Sequence, residues 1–336
     1  MTSRTRSFLV GSSLVVLLGL GTGLVAYYGG VLPAATTSAP SEFAYLPVDT
    51  TAVAFADVRA IMSSDFSQRI RQMLPTGEEK AKLQDELGLD IEHDIDSVVA
   101  GFLGSDPTKA QALAIVRGRF NDGLIETRAT AHGAAAETYR DKRLLVLKGN
   151  PAEGTPEVAG APAAAVAFLE PGLIAIGEAG SVRRAIDAGS TKENALANAE
   201  LMAFVNDLQG TGNAWAVGRT DKLSDSSNSA LPDEIRSHLP AVQWVAASAH
   251  INGGVSGMLR ADARDDQAAA QLRDVIRGGL AAGRLVSGSD KRLEALLNSV
   301  QLAGTGKTVS VSFSLPAELL DILNGAAAMH GLTSGR

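Results

Sequence analysis

Residues 97–119, SVVAGFLGSDPTKAQALAIVRGR, decide the fold. Val98, Val99, Phe102 and Leu103, then Leu113, Ile115 and Val116, make two apolar, β-branched runs of strand length. Gly104-Ser105-Asp106-Pro107 between them is a dense cluster of turn formers, so the segment reads as two strands, roughly Ser97–Leu103 and Gln111–Arg119. Asn121 or Asp122 then caps a helix that ends at His132-Gly133, where glycine suits the left-handed position past a helix end. The theme recurs in the second half as WVAAS (Trp244–Ser248), a turn at Asn252-Gly253-Gly254, SGMLRADARDD (Ser256–Asp266) and a helix capped at Asp265 or Asp266. Val99-Ala100 matches Val245-Ala246 at an offset of 146, and Asp122 matches Asp266 at 144. A near-constant offset predicts a duplicated strand–helix–strand–strand–helix–strand unit. The expected fold is therefore α+β, two similar and mostly antiparallel sheet units packed with helices. No shorter period recurs, which excludes a solenoid.

Other elements fall into place around these. Thr51–Ala56 is a first strand, and Asp57 caps a helix whose stripe runs Val58, Ile61, Met62, Phe66, Ile70, Met73 and Leu74, interrupted at Ser63-Ser64-Asp65. Arg143–Lys148 is a strand, and Ala164–Leu169 and Leu173–Gly177 form a hairpin around Glu170-Pro171-Gly172, a type II turn sequence. Ser181 is expected to cap a helix through Ala188, and a helix near Ala197–Leu208 leads to the strand Asn213–Arg219. Thr308–Leu315 alternates, with Val309, Val311, Phe313 and Leu315 on one face and hydroxyls on the other. That is an antiparallel strand with one wet face, entered through the turn Gly304–Lys307. Pro316 opens a last helix.

The N-terminus carries a different signal. Phe8–Leu32 is a run of 25 residues without a charge, long enough to span a bilayer core. Arg4 and Arg6 precede it and no charge follows until Glu42, so the N-terminus stays inside and the rest is exported. Tyr27 and Tyr28 suit the outer interface. A cleaved signal peptide is the competing reading, but the run is too long and Pro33-Ala34-Ala35 matches the cleavage pattern poorly. The organisation read from the chain is a cytoplasmic N-terminus (1–7), a transmembrane signal anchor (8–32) and a Pro/Ala/Thr/Ser linker (33–42). A first α+β module (43–190), a second (191–328) and a tail (329–336) follow. The expected location is the cytoplasmic membrane, single-pass, with a periplasmic ectodomain.

Composition narrows the function. The 336 residues hold no Cys, which excludes disulfides, thiol nucleophiles and Cys-based zinc sites. The net charge of −7 argues against nucleic acid as a partner. With Arg4 and Arg6 inside, 28 basic and 37 acidic residues remain outside, a charge of −9 that disfavours lying flat on anionic lipid. Gly19 and Gly23 form a GxxxG that allows a weak homodimer within the membrane. Gly306-Lys307-Thr308 resembles the end of a phosphate loop, but Gln301 stands where its first glycine belongs and a strand follows, so it is a turn. Asp90, Glu92, Asp94 and Asp96 around His93 could ligate Ca²⁺, yet Ile95 and Gly101 occupy the EF-hand glycine and glutamate places; a solvated turn is the expected reading. His93, His132, His238, His250 and His330 show no paired spacing, and no serine lies in a nucleophile elbow. Trp215 and Trp244 sit in apolar strands and are expected in the core. No catalytic, metal or cofactor residue is assigned.

Four segments, Phe43–Val58 (FAYLPVDTTAVAFADV), Leu89–Phe102 (LDIEHDIDSVVAGF), Tyr139–Gly149 with Ala165–Gly177, and Ser310–Leu323, resemble a loosely defined group of bacterial envelope proteins. Each member has an N-terminal anchor followed by an Ala/Leu-rich α+β ectodomain. The resemblance implies an exported bacterial protein and transfers no catalytic residue. The expected function is a non-catalytic, membrane-tethered binding or scaffold module with an envelope protein partner. The alternatives are an extracytoplasmic hydrolase with a spatially assembled site, or an envelope glycan or lipid binder.

Overall fold

A computed structural model describes residues 40–65, 67, 90–104, 111–147, 163–220, 242–287 and 291–316. The anchor 8–32 with Gly19 and Gly23, most of the linker, the apolar stripe beyond Asp65, the Ser-rich loop before Val242, the last helix, the tail, His238 and His330 lie outside the described residues. Among the described residues no helix is long and apolar enough to cross a membrane.

Twelve strands form one antiparallel sheet: β1 Thr50–Ala56, β2 Ile95–Leu103, β3 Gln111–Gly118, β4 Ala134–Tyr139, β5 Lys142–Leu147 and β6 Ala164–Glu170. The others are β7 Leu173–Glu178, β8 Ala214–Arg219, β9 Val242–Ile251, β10 Gly254–Ala263, β11 Gln301–Ala303 and β12 Thr308–Pro316. Their order is β11-β12-β10-β9-β8-β1-β2-β3-β7-β6-β5-β4. Two meanders, β1-β2-β3 and β8-β9-β10, thus run outward from a central seam. At that seam β1 and β8 pair antiparallel, Val53 opposite Val217 and Phe55 opposite Trp215. The expectation of two sheet units needs correcting here. The seam fuses them into one sheet, because backbone groups along β1 and β8 would otherwise need other partners.

Both meanders lead into a helix, α3 (Asp122–Ala131) after β3 and α6 (Asp266–Ser287) after β10. Their caps are the same device: Asn121 Oδ1 accepts from the Leu124 N–H at 3.1 Å, and Asp265 Oδ1 from the Ala268 N–H at 2.8 Å. The strand match needs a one-residue shift. Ala54 pairs with Ala216 across the seam, with Ala100 on one side and Ala247 on the other, so Ala100 corresponds to Ala247 rather than Ala246. A one-residue slip turns a side chain to the other face. Val99 is accordingly 0% exposed and Val245 38%.

Each face of the sheet has its own cover. On one face lie the 3₁₀ turn Ser41–Tyr45, α4 (Ala179–Ser190) and α5 (Ala199–Leu208), over a core that includes Phe43, Leu46, Val53, Val99, Leu113, Ile115, Val182, Ile186, Leu201, Val205 and Trp215. This core draws on residues from both sides of position 190. The other face packs Val58 and Ile61 of α1 (Val58–Met62), Ile125 and Ala129 of α3, and Ala268, Ala269 and Leu272 of α6. Among the described residues the other helices are a short α2 (Ile91–Asp94), a 3₁₀ turn Ala195–Ala197 and α7 (Lys291–Ser299).

Local predictions mostly match. Asp57 caps α1 through a 2.8 Å bond from the Ala60 N–H, Gly133 ends α3 at φ +90°, and Gly172 turns β6 into β7 at φ +73°. Ser181 is a correction: α4 begins at Ala179 with Glu178 at the cap, and Ser181 is a buried residue inside it whose Oγ donates to Gln111 Oε1 at 3.1 Å. β4, α2, α7 and the 3₁₀ turn Ser41–Tyr45 have no counterpart among the expected elements, while β11 is the partner strand of the turn at Gly304–Lys307.

Candidate functional site

Where the chain enters the fold, a short segment is locked to the sheet. Ser41 and Glu42 close what composition assigned to the linker, yet Glu42 is buried and part of the first 3₁₀ turn. Arg117 on β3 explains why: its Nε donates to Glu42 Oε1 at 2.5 Å and its Nη2 to Ser41 Oγ at 3.0 Å. A buried carboxylate needs such a partner, and a guanidinium gripping neighbouring residues gives direction as well as charge. Three residues on, the Tyr45 hydroxyl donates to Glu170 Oε1 at 2.6 Å at the end of β6. Burial, then the bond to Glu170, pushes the Tyr45 phenol well above its ordinary range. Between these clasps Phe43 and Leu46 insert fully into the core, with the Phe43 ring 6.0 Å from Trp215. Tyr45 also lies against Gly189 of α4, where no Cβ would fit.

A second cluster of polar groups borders α5. Phe204 stacks on Trp244 with centroids 4.8 Å apart, Arg260 lies over Phe204 at 5.0 Å, and Arg219 over Trp244 at 5.6 Å. Arg260 holds Asp262 with two bonds of 3.0 and 2.9 Å and Asp207 with one of 2.9 Å. The bond to Asp262 raises its pKa, against partial burial that lowers it. The Trp244 indole N–H donates to Glu200 Oε1 at 2.8 Å, and Arg219 pairs with Glu200 at 3.4 Å. These groups are spent on one another. The set holds two guanidinium–aromatic stacks and their paired carboxylates, with no nucleophile and base within bonding distance in it.

The residues singled out in the sequence land as follows. Trp215 and Trp244 are 2% and 5% exposed, in the core and not on a platform. Asp94 Oδ2 accepts from the Asp90 N–H at 2.8 Å, and His93 Nδ1 meets Asp90 Oδ2 at 3.0 Å. Asp96 pairs with Arg59. Asp90, Asp94 and Asp96 thus each have a partner, and among the described residues no group of three or more His, Asp or Glu could hold a metal. His132 ends α3 and His250 sits on β9, in opposite halves of the sheet, while Gly304–Lys307 is a turn before β12. Both clusters escaped sequence reading, since Ser41 and Arg117 are 76 residues apart and Trp244 and Glu200 are 44. The only local hint was a charged Glu42 beside the apolar Phe43.

No family model and no curated protein matches the chain. Among solved structures, crystal form I of TP0453 superposes with a TM-score of 0.46 and 9% sequence identity, over 86% of this chain and 99% of that one.

Proposed function

We propose that this chain is a membrane-tethered extracytoplasmic protein, a non-catalytic binding or scaffold module of a bacterial cell envelope. Residues 8–32 hold it in the cytoplasmic membrane with the N-terminus inside. The carrying observation is the double clasp of the lead-in segment, Arg117 on Ser41 and Glu42 and Glu170 on Tyr45, around a buried Phe43. A tether is useful only if it is fixed to a rigid body. Here it joins the main core within ten residues of the central strand β1, since the turn begins at Ser41 and β1 at Thr50. Support also comes from the clusters described above, in which charged groups are paired with each other. The test is alkaline extraction of native membranes, followed by crosslinking and pull-down with the tagged full chain. The chain should stay in the membrane pellet and recover one reproducible envelope protein. Release by alkali, or no reproducible partner, would overturn the reading.

A further inference from the structure

We infer that the bilayer faces one particular end of the sheet: the end where β3 finishes at Gly118 and β7 begins at Leu173. The inference rests on the tether reading above, and joins it to where the chain enters the fold. Ser41 is held by Arg117, the penultimate residue of β3, and Tyr45 by Glu170, the last residue of β6. The antiparallel register puts both at one end, with the Pro171-Gly172 turn and the start of α3 beside them. The opposite end holds Leu103, Gln111 and Glu178, and α4 begins there.

Turning the molecule over would stretch the tether close to its limit. Only Pro33–Pro40 separates Leu32, the end of the apolar run, from the clasped Ser41. Leu32 to Ser41 is nine Cα steps, about 31 Å if fully extended and about 17 Å as a relaxed coil. The nine-residue β2 spans roughly 27 Å end to end. Bringing the far end to the lipid would hold the tether nearly taut along the full length of the sheet, far beyond its relaxed span. The clasp matters because it stops the tether from lengthening: freeing Ser41–Leu46 would add six residues of reach, but Phe43 and Leu46 are buried in the core. The bilayer is therefore the partner of the Pro171–Asp122 end. The Glu178–Gly180 end is left to face outward.

The absence of native Cys makes the test direct. The full chain is reconstituted in liposomes carrying a headgroup-labelled acceptor lipid, with a donor dye on Pro171→Cys, Asp122→Cys or Gly180→Cys. Pro171, Asp122 and Gly180 are all exposed, and a Cβ at Gly180 meets nothing within 4 Å. Energy transfer should be clearly greater from positions 171 and 122 than from 180. Inserting a 20-residue Gly/Ser segment (a length chosen to exceed the sheet span) between Ala39 and Pro40 should erase that difference without changing flotation. Equal transfer at native linker length, or greater transfer from position 180, overturns the orientation while leaving the anchor intact. Failure of the full chain to float with the liposomes overturns the anchor, and the orientation with it.

Discussion

Replacing Phe43 by Ala tests whether the lead-in segment is structural. Phe43 is completely buried, in a core shared with Val99, Leu113, Ile115 and Trp215. Truncating a buried phenylalanine removes its transfer free energy and leaves a cavity that neighbours fill only in part, about 3–5 kcal/mol in total. Little relaxation is available here, because the clasps at Glu42 and Tyr45 hold the turn on both sides of the hole. The melting midpoint should fall by about 2 °C for each kcal/mol, since the unfolding entropy grows with chain length. The two tryptophans report the transition, since both are buried. The Trp215 ring, 6.0 Å from Phe43 and 5.5 Å from Phe55, should also shift its native emission. Urea unfolding followed by Trp fluorescence gives both numbers. A loss under about 1 kcal/mol, the range of ordinary surface changes and a little more, with unchanged emission would refute the packing of this segment, and with it a tether fixed to the core.

Other predictions concern the same network and the fold around it. Tyr45→Phe should cost about 1–2 kcal/mol, a charge-assisted hydrogen bond discounted for the solvent-exposed Glu170, measured by the same urea titration. Because the Tyr45 phenol is raised above its unfolded value of 10.0, its contribution is complete below pH 10 and fades as pH climbs beyond it. Wild type should lose stability there more steeply than Tyr45→Phe, and parallel alkaline curves would contradict the buried hydrogen bond. Gly118→Ala should destabilise by about 1–3 kcal/mol by overpacking, since a Cβ would run into the Asp94 carbonyl oxygen; unchanged thermal stability would show that the β2–β3 end is looser than described. Asn121→Ala should cost about 1 kcal/mol by uncapping α3, seen as a small drop in the unfolding midpoint.

Legibility followed locality. Turns such as Pro171-Gly172 and His132-Gly133, and the caps Asp57, Asn121 and Asp265, depend on residues within four positions of one another, and sequence exposes them. β4 was hidden because Ala134–Glu137, four of its six residues, have weak strand preference. It becomes a strand by folding back on β5 through Arg140 and Asp141, both at positive φ, an arrangement with no glycine to announce it. The seam between β1 and β8 was invisible for another reason. Ala54 and Ala216 are two alanines 162 positions apart, and only the outward alternation of each strand hints that both faces are buried. Val99 and Val245 look alike while facing opposite ways, so pairing the two segments by likeness of residues misleads by one position. Both polar clusters depend on side chains that meet only after the sheet closes. Trp215 and Trp244 were legible as core because their neighbours are Ala and Val.

The most direct test of the account is the side of the membrane on which the sheet resides. With no native Cys, single substitutions Ser3→Cys and Thr305→Cys can be probed with a membrane-impermeant maleimide on intact spheroplasts. Thr305, exposed in the turn before β12, should label at once, and Ser3 only after the membrane is opened. Labelling of Ser3 but not Thr305 in intact spheroplasts, or of neither until lysis, would contradict it.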